Sequence, residues 1–255
     1  INRLFMAGII PGILVGIALY IAAVYVRKRD IKKGLYIPSE NEVGRKATGK
    51  EQWDAFVKAL PGLLIPVIIL GGIYTGFFTP TESAVVAVVY SLIVGLFIKP
   101  KGFFKQLFVI FREASLQTAV VMLIVSAASV FAYIVTTEQV AQTISDAILS
   151  FTDNKVIILL LVNIVLLIAG AFIDAISAYY IFVPILMPIM LMLDVDPTVF
   201  GIFMTINLAI GLFTPPVGLN LYVAAGYAKT NIMEISRGVV PFIIAAIIVL
   251  MLVTY

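Results

Sequence analysis

The sequence predicts an all-α polytopic membrane protein, and three observations carry that prediction. Of the 255 residues, 62% are apolar and 12% charged, about half the charged share of a soluble globular domain. The apolar residues gather in runs of the length a helix needs, roughly 20 residues, to cross a hydrocarbon core about 30 Å thick. The basic residues gather between those runs: nine of the seventeen Lys and Arg lie from Arg27 to Lys58, and loops rich in Lys and Arg stay on the cytoplasmic side.

The composition also removes function classes. With no Cys and no His, disulfides, iron–sulfur clusters, haem-ligating His and the usual zinc sets are excluded. A formal charge of +3 is too small to argue nucleic-acid binding. The chain opens on Ile1, Asn2 and Arg3 and then runs apolar for longer than a signal h-region, with Lys and Arg where a cleavage site would stand, so this stretch reads as a span. The absence of an initial Met suggests a processed product or the later part of a longer chain.

Leu4 to Val26 is the first span, running outside to inside, and the polar segment up to Lys58 is a cytoplasmic loop. Leu60 to Ile98 is apolar apart from GIYTGFFTPTES, which two short spans accommodate better than one long helix. Lys99, Lys101, Lys105 and Arg112 then lie inside. Phe103, Phe104, Leu107, Phe108 and Phe111 recur at helical spacing among them, giving two readings, an amphipathic helix in the membrane interface or a helix packed on others.

Thr118 to Val135 crosses outward. Val140, Ile144, Ala147 and Ile148 share one face of a following outer interfacial helix, with Glu138, Gln142, Ser145 and Asp146 off it. Val156 to Leu193 is broken at GAFIDAISA and again by Pro184 and Pro188; it either crosses twice or forms a re-entrant hairpin. Pro197 to Ala228 crosses inward with a break near its middle, and Val239 to Tyr255 crosses outward. The first and last spans share a Gly-x-x-Pro feature, Gly8 with Pro11 and Gly238 with Pro241, in opposite orientations. Inverted repeats of that kind build many secondary transporters.

Two breaks carry the chemistry. In AIGLFTPPVGLNLYVAAG, Pro215 and Pro216 remove two amide donors and Gly211 and Gly218 relax steric limits, so the helix must interrupt. Backbone groups freed at membrane depth need protein, water or an ion. Freed carbonyls with Thr214 Oγ1 and Asn220 Oδ1 are hard oxygen donors suited to sodium, and the half-helix after Pro216 points its positive end at the gap. The bland alternative is a proline kink satisfied by neighbours. In GAFIDAISA, Asp174 is an ionisable group inside an apolar run, a functional feature by default, and Asp174 and Ser177 offer oxygens to a cation or solute near Gly170. The alternative is a helix cap in water. TGFFTPTESA resembles the later break in its F-T-P core but fits an outer loop, in which Thr81 and Ser83 could cap the next helix with Glu82 in its first turn. Asn163 and Asn207 are expected to bond across helices.

GFFTPTESA, GAFIDAISA, VDPTVFG and NLAIGLFTPPVGLNLYVAAG resemble the large membrane subunit of the tripartite ATP-independent periplasmic (TRAP) transporters, over essentially the whole chain. The resemblance implies a multi-pass protein of a prokaryotic cytoplasmic membrane, with an inverted-repeat elevator fold and no enzymatic activity. It implies sodium-driven uptake of a small organic acid, a dicarboxylate, sialic acid or other sugar acid. Its partners would be a periplasmic substrate-binding protein, a small membrane subunit and the lipid bilayer, with no nucleic acid. It assigns residues 1–26 to the last span of a first repeat, 27–59 to a cytoplasmic loop, 60–98 to two scaffold helices and 99–115 to an arm helix. Residues 116–153 become a scaffold span with an interfacial helix, 154–193 a re-entrant hairpin, 197–228 a discontinuous helix and 231–255 the last span. Gly170, Gly211, Thr214, Gly218 and Asn220 would serve sodium, and Asp174, Ser177, Pro215 and Pro216 the solute. The chain would then hold one half of a two-part site, with the rest of the first repeat supplied from elsewhere.

Rival classes are a proton-coupled carrier and a purely structural membrane subunit. An intramembrane aspartyl protease needs two facing carboxylates, and only Asp174 stands within a span. A serine–histidine pair is impossible without His.

Overall fold

The computed structural model of the chain describes residues 2–32, 34, 47–98, 102–140, 142–144, 147, 152 and 154–255. Among them the regular structure is helical throughout: α1 (Asn2–Lys32), α2 (Gly49–Tyr74), α3 (Pro80–Ile98), α4 (Phe103–Thr137), α5 (Lys155–Phe172), α6 (Ala175–Met192), α7 (Pro197–Gly211), α8 (Leu219–Ala228) and α9 (Ile232–Thr254). Seven of these, all but α7 and α8, are long and apolar enough to cross a membrane. The chain divides into two compact units, one comprising Arg3–Leu35 and Ala119–Tyr255, the other Tyr36–Thr118.

In the second unit, α2 and α3 pair as an antiparallel hairpin. Thr48 starts α2 with a reciprocal capping box, its side chain accepting from Glu51 N and its own N–H donating to Glu51 Oε2 at 2.8 Å. The turn after α2 places Gly76 at φ +75°, a conformation that costs a side chain but not glycine. The cap of α3 is Thr79, not Thr81 or Ser83 as the sequence suggested: Glu82 N donates to Thr79 Oγ1, and Thr79 N donates to Glu82 Oε2 at 2.8 Å. Pro80 explains the difference, because a proline with fixed φ and no N–H favours the first helical position and leaves the residue before it as the cap. The Ser83 hydroxyl is instead buried beside Gly72.

Two boundaries run longer than expected. α1 continues through Arg27–Asp30 to Lys32, since Lys and Arg are good helix formers and their charges sit favourably at a helix C-terminus. Residues 103–137 form one uninterrupted helix with no Gly or Pro to separate an arm segment from a span. Lys99 and Lys101 lie outside the described residues, as do Ser145, Asp146 and Ile148 of the expected interfacial helix; Gln142 to Ile144 and Ala147 are helical.

In the first unit α7 is central and touches α5, α6 and α9. Most of its side chains are buried, including Phe200, Phe203, Met204 and Leu208. Lipid tails are as apolar as Leu, so burial alone does not drive these helices together and close packing with polar bonds must. Gly201 accordingly admits the Leu4 side chain of α1: a Cβ there would stand 2.7 Å from Leu4 Cδ1. Asn154, Asp174, Asp196 and Asn231 each cap the helix that follows by accepting from an amide two or three residues on. Lys155 Nζ donates to Asp194 O at 3.1 Å and Tyr255 hydroxyl to Val156 O at 2.7 Å, joining the ends of α5, α6 and α9.

Candidate functional site: a cavity between two helix breaks

The interruption between α5 and α6 is two residues long. Ile173 leaves the helix in an extended conformation, φ −122° and ψ 155°, and Asp174 follows as the N-cap of α6. Ser177 satisfies both carboxylate oxygens of Asp174, its N–H donating to Oδ1 at 3.0 Å and its Oγ to Oδ2 at 2.6 Å. The pair is thus rigid, yet each carboxylate oxygen keeps acceptor capacity.

The interruption between α7 and α8 runs from Leu212 to Gly218. Thr214 N donates to Gly211 O at 3.0 Å and Thr214 Oγ1 to Ile210 O at 2.7 Å, which folds the chain back on the last turn of α7. The Pro215–Pro216 bond is cis. Asn220 N then donates to Leu212 O at 2.9 Å, closing the segment into a compact loop. Gly218, at φ 45° and ψ 80°, caps α8 without a side chain; a Cβ there would meet Thr214 O at 2.9 Å.

The two breaks meet. Gly218 N approaches Ala171 O at 3.5 Å, and Gly170 lies against Gly211 so closely that a Cβ on Gly211 would stand 2.6 Å from Gly170 Cα and 2.5 Å from its oxygen. Beside this contact opens a cavity of about 370 Å³ lined by Gly170, Asp174, Ser177 and Gly218 together with neighbouring apolar residues.

The structure therefore brings four of the nine sequence-derived candidates to one cavity wall. Gly211 stands behind that wall, buried against Gly170. Thr214 and Pro215 are half-buried within the break, Pro216 and Asn220 are exposed, and none of these four lines the cavity. Phe172, Leu212, Val217 and Leu219 do line it and were not foreseen, since an apolar residue carries no signal apart from adjacency to a break. Among the described residues Asp174 is the one ionisable side chain in the lining, and no Lys or Arg lines it. Such a wall offers oxygens to a cation and no cationic side chain to an anion.

Asn163 and Asn207 bond across helices as the sequence suggested. Asn207 Nδ2 donates to Asn163 Oδ1 at 2.6 Å and to Phe203 O at 2.8 Å, and Asn163 Nδ2 donates to Thr254 Oγ1 at 3.2 Å.

Comparison with known proteins places these features. The family model described as "Tripartite ATP-independent periplasmic transporter, DctM component" matches residues 1–255. The chain is 41% identical over 255 residues to the isethionate TRAP transporter permease protein DctMQ of Oleidesulfovibrio alaskensis, covering all of this chain and 39% of that protein. It is 40% identical over 256 residues to the C4-dicarboxylate TRAP transporter large permease protein DctM of Pseudomonas aeruginosa, covering 100% and 58%. It is 38% identical over 254 residues to the sialic acid TRAP transporter large permease protein SiaM of Vibrio cholerae, covering 99% and 57%. The chain thus spans between about two-fifths and three-fifths of the length of these relatives.

Proposed function

The chain belongs to the DctM-component family of tripartite ATP-independent periplasmic transporters, a multi-pass membrane protein, and from that premise we propose that it forms part of a permease that couples sodium entry to uptake of a small organic acid. The solute would be delivered by a periplasmic binding protein, and a small membrane subunit would complete the assembly. The names of the relatives, for isethionate, C4-dicarboxylate and sialic acid, agree on a small organic acid and differ on which one.

The observation that carries the proposal is the cavity between the two breaks. The cavity is walled by the tip of the α5–α6 hairpin and by the break after Gly211, which suits a re-entrant reading of residues 154–193. A solute and ion site at the midplane, framed by discontinuous helices, suits alternating access. The family resemblance implies an elevator movement of 154–193 and 197–228 against a scaffold containing 60–98, with 99–115 as an arm.

Sodium enters here as cargo. The break supplies hard oxygens of the type it takes: Thr214 Oγ1 spends its proton on Ile210 O and retains lone pairs, Thr214 O faces the space that a Cβ on Gly218 would fill, and Asn220 adds an amide oxygen. Asp174 and Ser177 would meet the solute or its accompanying ion, with Pro215 and Pro216 shaping the loop between them and Asn220.

The test is uptake into vesicles by the assembled permease under imposed sodium or proton gradients. The reading expects uptake to follow sodium, and Thr214→Ala and Asn220→Ala to raise the sodium midpoint by more than they lower expression. Uptake indifferent to sodium but driven by a pH gradient would overturn the coupling. Unchanged sodium midpoints in both variants would overturn the assignment of the oxygens.

A further inference from the structure

We propose that Asn163 and Asn207, together with Thr254, are positioning residues that set the register of α5 against α7 and thereby the shape of the cavity between the two helix breaks. The inference rests on the reading of that cavity as the ion and solute site, and it assigns a task to a polar cluster which that reading leaves unused.

The contact that forms the cavity wall, Gly170 on Gly211, fixes how closely α5 approaches α7 but not where along its length. Two glycines present smooth surfaces, with no side chain to interlock. The lipid environment adds no hydrophobic force that would favour one alignment over another, because the flanking Leu, Ile and Val side chains find equal company in tails or in neighbours. Something directional has to choose the alignment. Asn163 stands two turns below Gly170 on α5 and Asn207 one turn below Gly211 on α7. Both are fully buried, each with 0% of its surface exposed. Their bond is short, 2.6 Å, and the chain of bonds continues from Asn163 to Thr254 and from Thr254 Oγ1 to Leu250 O at 2.9 Å. One polar cluster thus ties three helices, α5, α7 and α9.

A slip of α5 along α7 by a single residue breaks these bonds in a place where no water replaces them. Buried amides have this effect in coiled coils, where one Asn fixes register at a cost in stability. The same signature of specificity bought with stability is visible here: Asn207 Oδ1 is buried and, among the described residues, has no hydrogen-bond partner. A cluster selected for stability alone would have filled that vacancy or been replaced by apolar side chains.

The experiment separates positioning from mere stability. These 255 residues contain no Cys; with any Cys elsewhere in the assembled permease replaced, spin labels placed at Leu160→Cys on α5 and Val199→Cys on α7, both exposed positions, report the register by electron paramagnetic resonance. The Asn163→Leu/Asn207→Leu variant removes both amides together and strands neither. It is expected to melt no lower than the parent, to broaden or shift the label distance distribution, and to raise the sodium midpoint of uptake at least fivefold. Should the double leucine variant misfold, Asn207→Ser, which keeps a donor of shorter reach, is read in the same way. An unchanged distance distribution overturns the register claim whatever happens to uptake. A changed distribution with unchanged sodium midpoint and solute KM overturns the positioning role. A parent permease without sodium dependence would defeat the site reading instead, and the label distances would still decide whether the amides set the register.

Discussion

Substituting Gly211 by Ala tests the contact on which the cavity depends. The added Cβ would stand 2.6 Å from Gly170 Cα and 2.5 Å from Gly170 O, and ordinary contact begins near 3.4 Å, so α5 and α7 must part by about 1 Å. The obstacles are backbone atoms, which no rotamer change removes. Overpacking of this kind costs about 1–3 kcal/mol, and the upper half of that range applies because a helix and not a side chain has to move. A gain in helix propensity of up to about 1 kcal/mol offsets part of it, though Gly211 is the last residue of α7 and collects less. The net loss is about 2 kcal/mol, which for a chain of this size lowers the melting temperature by about 4–8 °C. Gly170→Ala meets Gly211 Cα and Leu208 Cα at 3.3 Å and should fall between Gly211→Ala and the parent. Gly238→Ala, which meets nothing within 4 Å, should be neutral or raise stability by about 0.5–1 kcal/mol. Thermal unfolding followed by circular dichroism gives the order, and sodium titration of uptake shows whether parted helices also lose the ion. If Gly211→Ala melts with the parent and binds sodium as tightly, the close crossing is not a feature of the working protein.

Three further outcomes follow from individual side chains. Asp174→Asn keeps an equally good cap but removes the charge from the cavity wall, so it should melt within about 0.5 kcal/mol of the parent while raising the sodium midpoint several-fold; Asp174→Ala should lose about 1 kcal/mol as well. Unchanged sodium dependence in the Asn variant would confine Asp174 to capping. The Thr198 hydrogen bonds, foremost among its influences, hold the Asp196 carboxyl below the usual carboxylate range, with Arg3 adding a smaller effect. A carboxyl lowered on folding contributes stability above its unfolded pKa and loses it as pH falls through the folded one, so the protection of amides in the first turn of α7, relative to their intrinsic exchange rate at each pH, should fall only below about pH 4 and stay constant across that range in Asp196→Asn. Thr79→Ala removes the cap of α3 and should cost about 1 kcal/mol, seen as faster exchange at Glu82 and Ser83; equal protection in the variant would show that Pro80 alone starts the helix.

The spans were legible because lipid imposes a length on any apolar run, and the break after Gly211 was legible because Gly and Pro act through the backbone of their own segment. The break at Ile173 and Asp174 was marked instead by an ionisable side chain in an apolar run, while Pro184 and Pro188, also expected to break that run, lie inside the continuous helix α6. The amide pair was legible as well: an Asn in an apolar run must bond across a helix interface. Three features were hidden for identifiable reasons. The continuity of α4 from Phe103 to Thr137 does not show in hydropathy, since the polar residues around Glu113 change the solvent a helix faces without ending it. Thr79 was passed over because Thr81 and Ser83 are equally good cap residues by type, and only the position of Pro80 distinguishes them. The cavity lining was half hidden, because Leu212, Val217 and Leu219 acquire their place from the fold of the break and not from their chemistry. Conversely, Thr214 and Asn220 are polar and near a break, yet neither side chain reaches the lining, a matter of orientation that spacing does not determine.

The charge on the cavity wall leads to a last prediction about coupling. Among the described residues its one ionisable lining side chain is Asp174, with no basic residue in the lining, so if the cavity takes the solute, an organic anion entering alone would meet a carboxylate of like charge, which repels it. A sodium ion held by the neighbouring oxygens reverses that sign. On this reading the two solutes bind as a pair because each removes the obstacle to the other, and no movement of the helices is needed to explain the linkage. Binding measured by calorimetry on the assembled permease should then show solute affinity rising with sodium, and sodium affinity rising with solute by the same factor, as linkage requires of equilibrium constants. A factor of 10 corresponds to about 1.4 kcal/mol of coupling. Asp174→Asn should shrink the factor, because an anion no longer needs a cation to enter. Solute binding that is indifferent to sodium would mean that the positive charge at the site comes from residues outside this chain, and the carboxylate would lose its part in coupling.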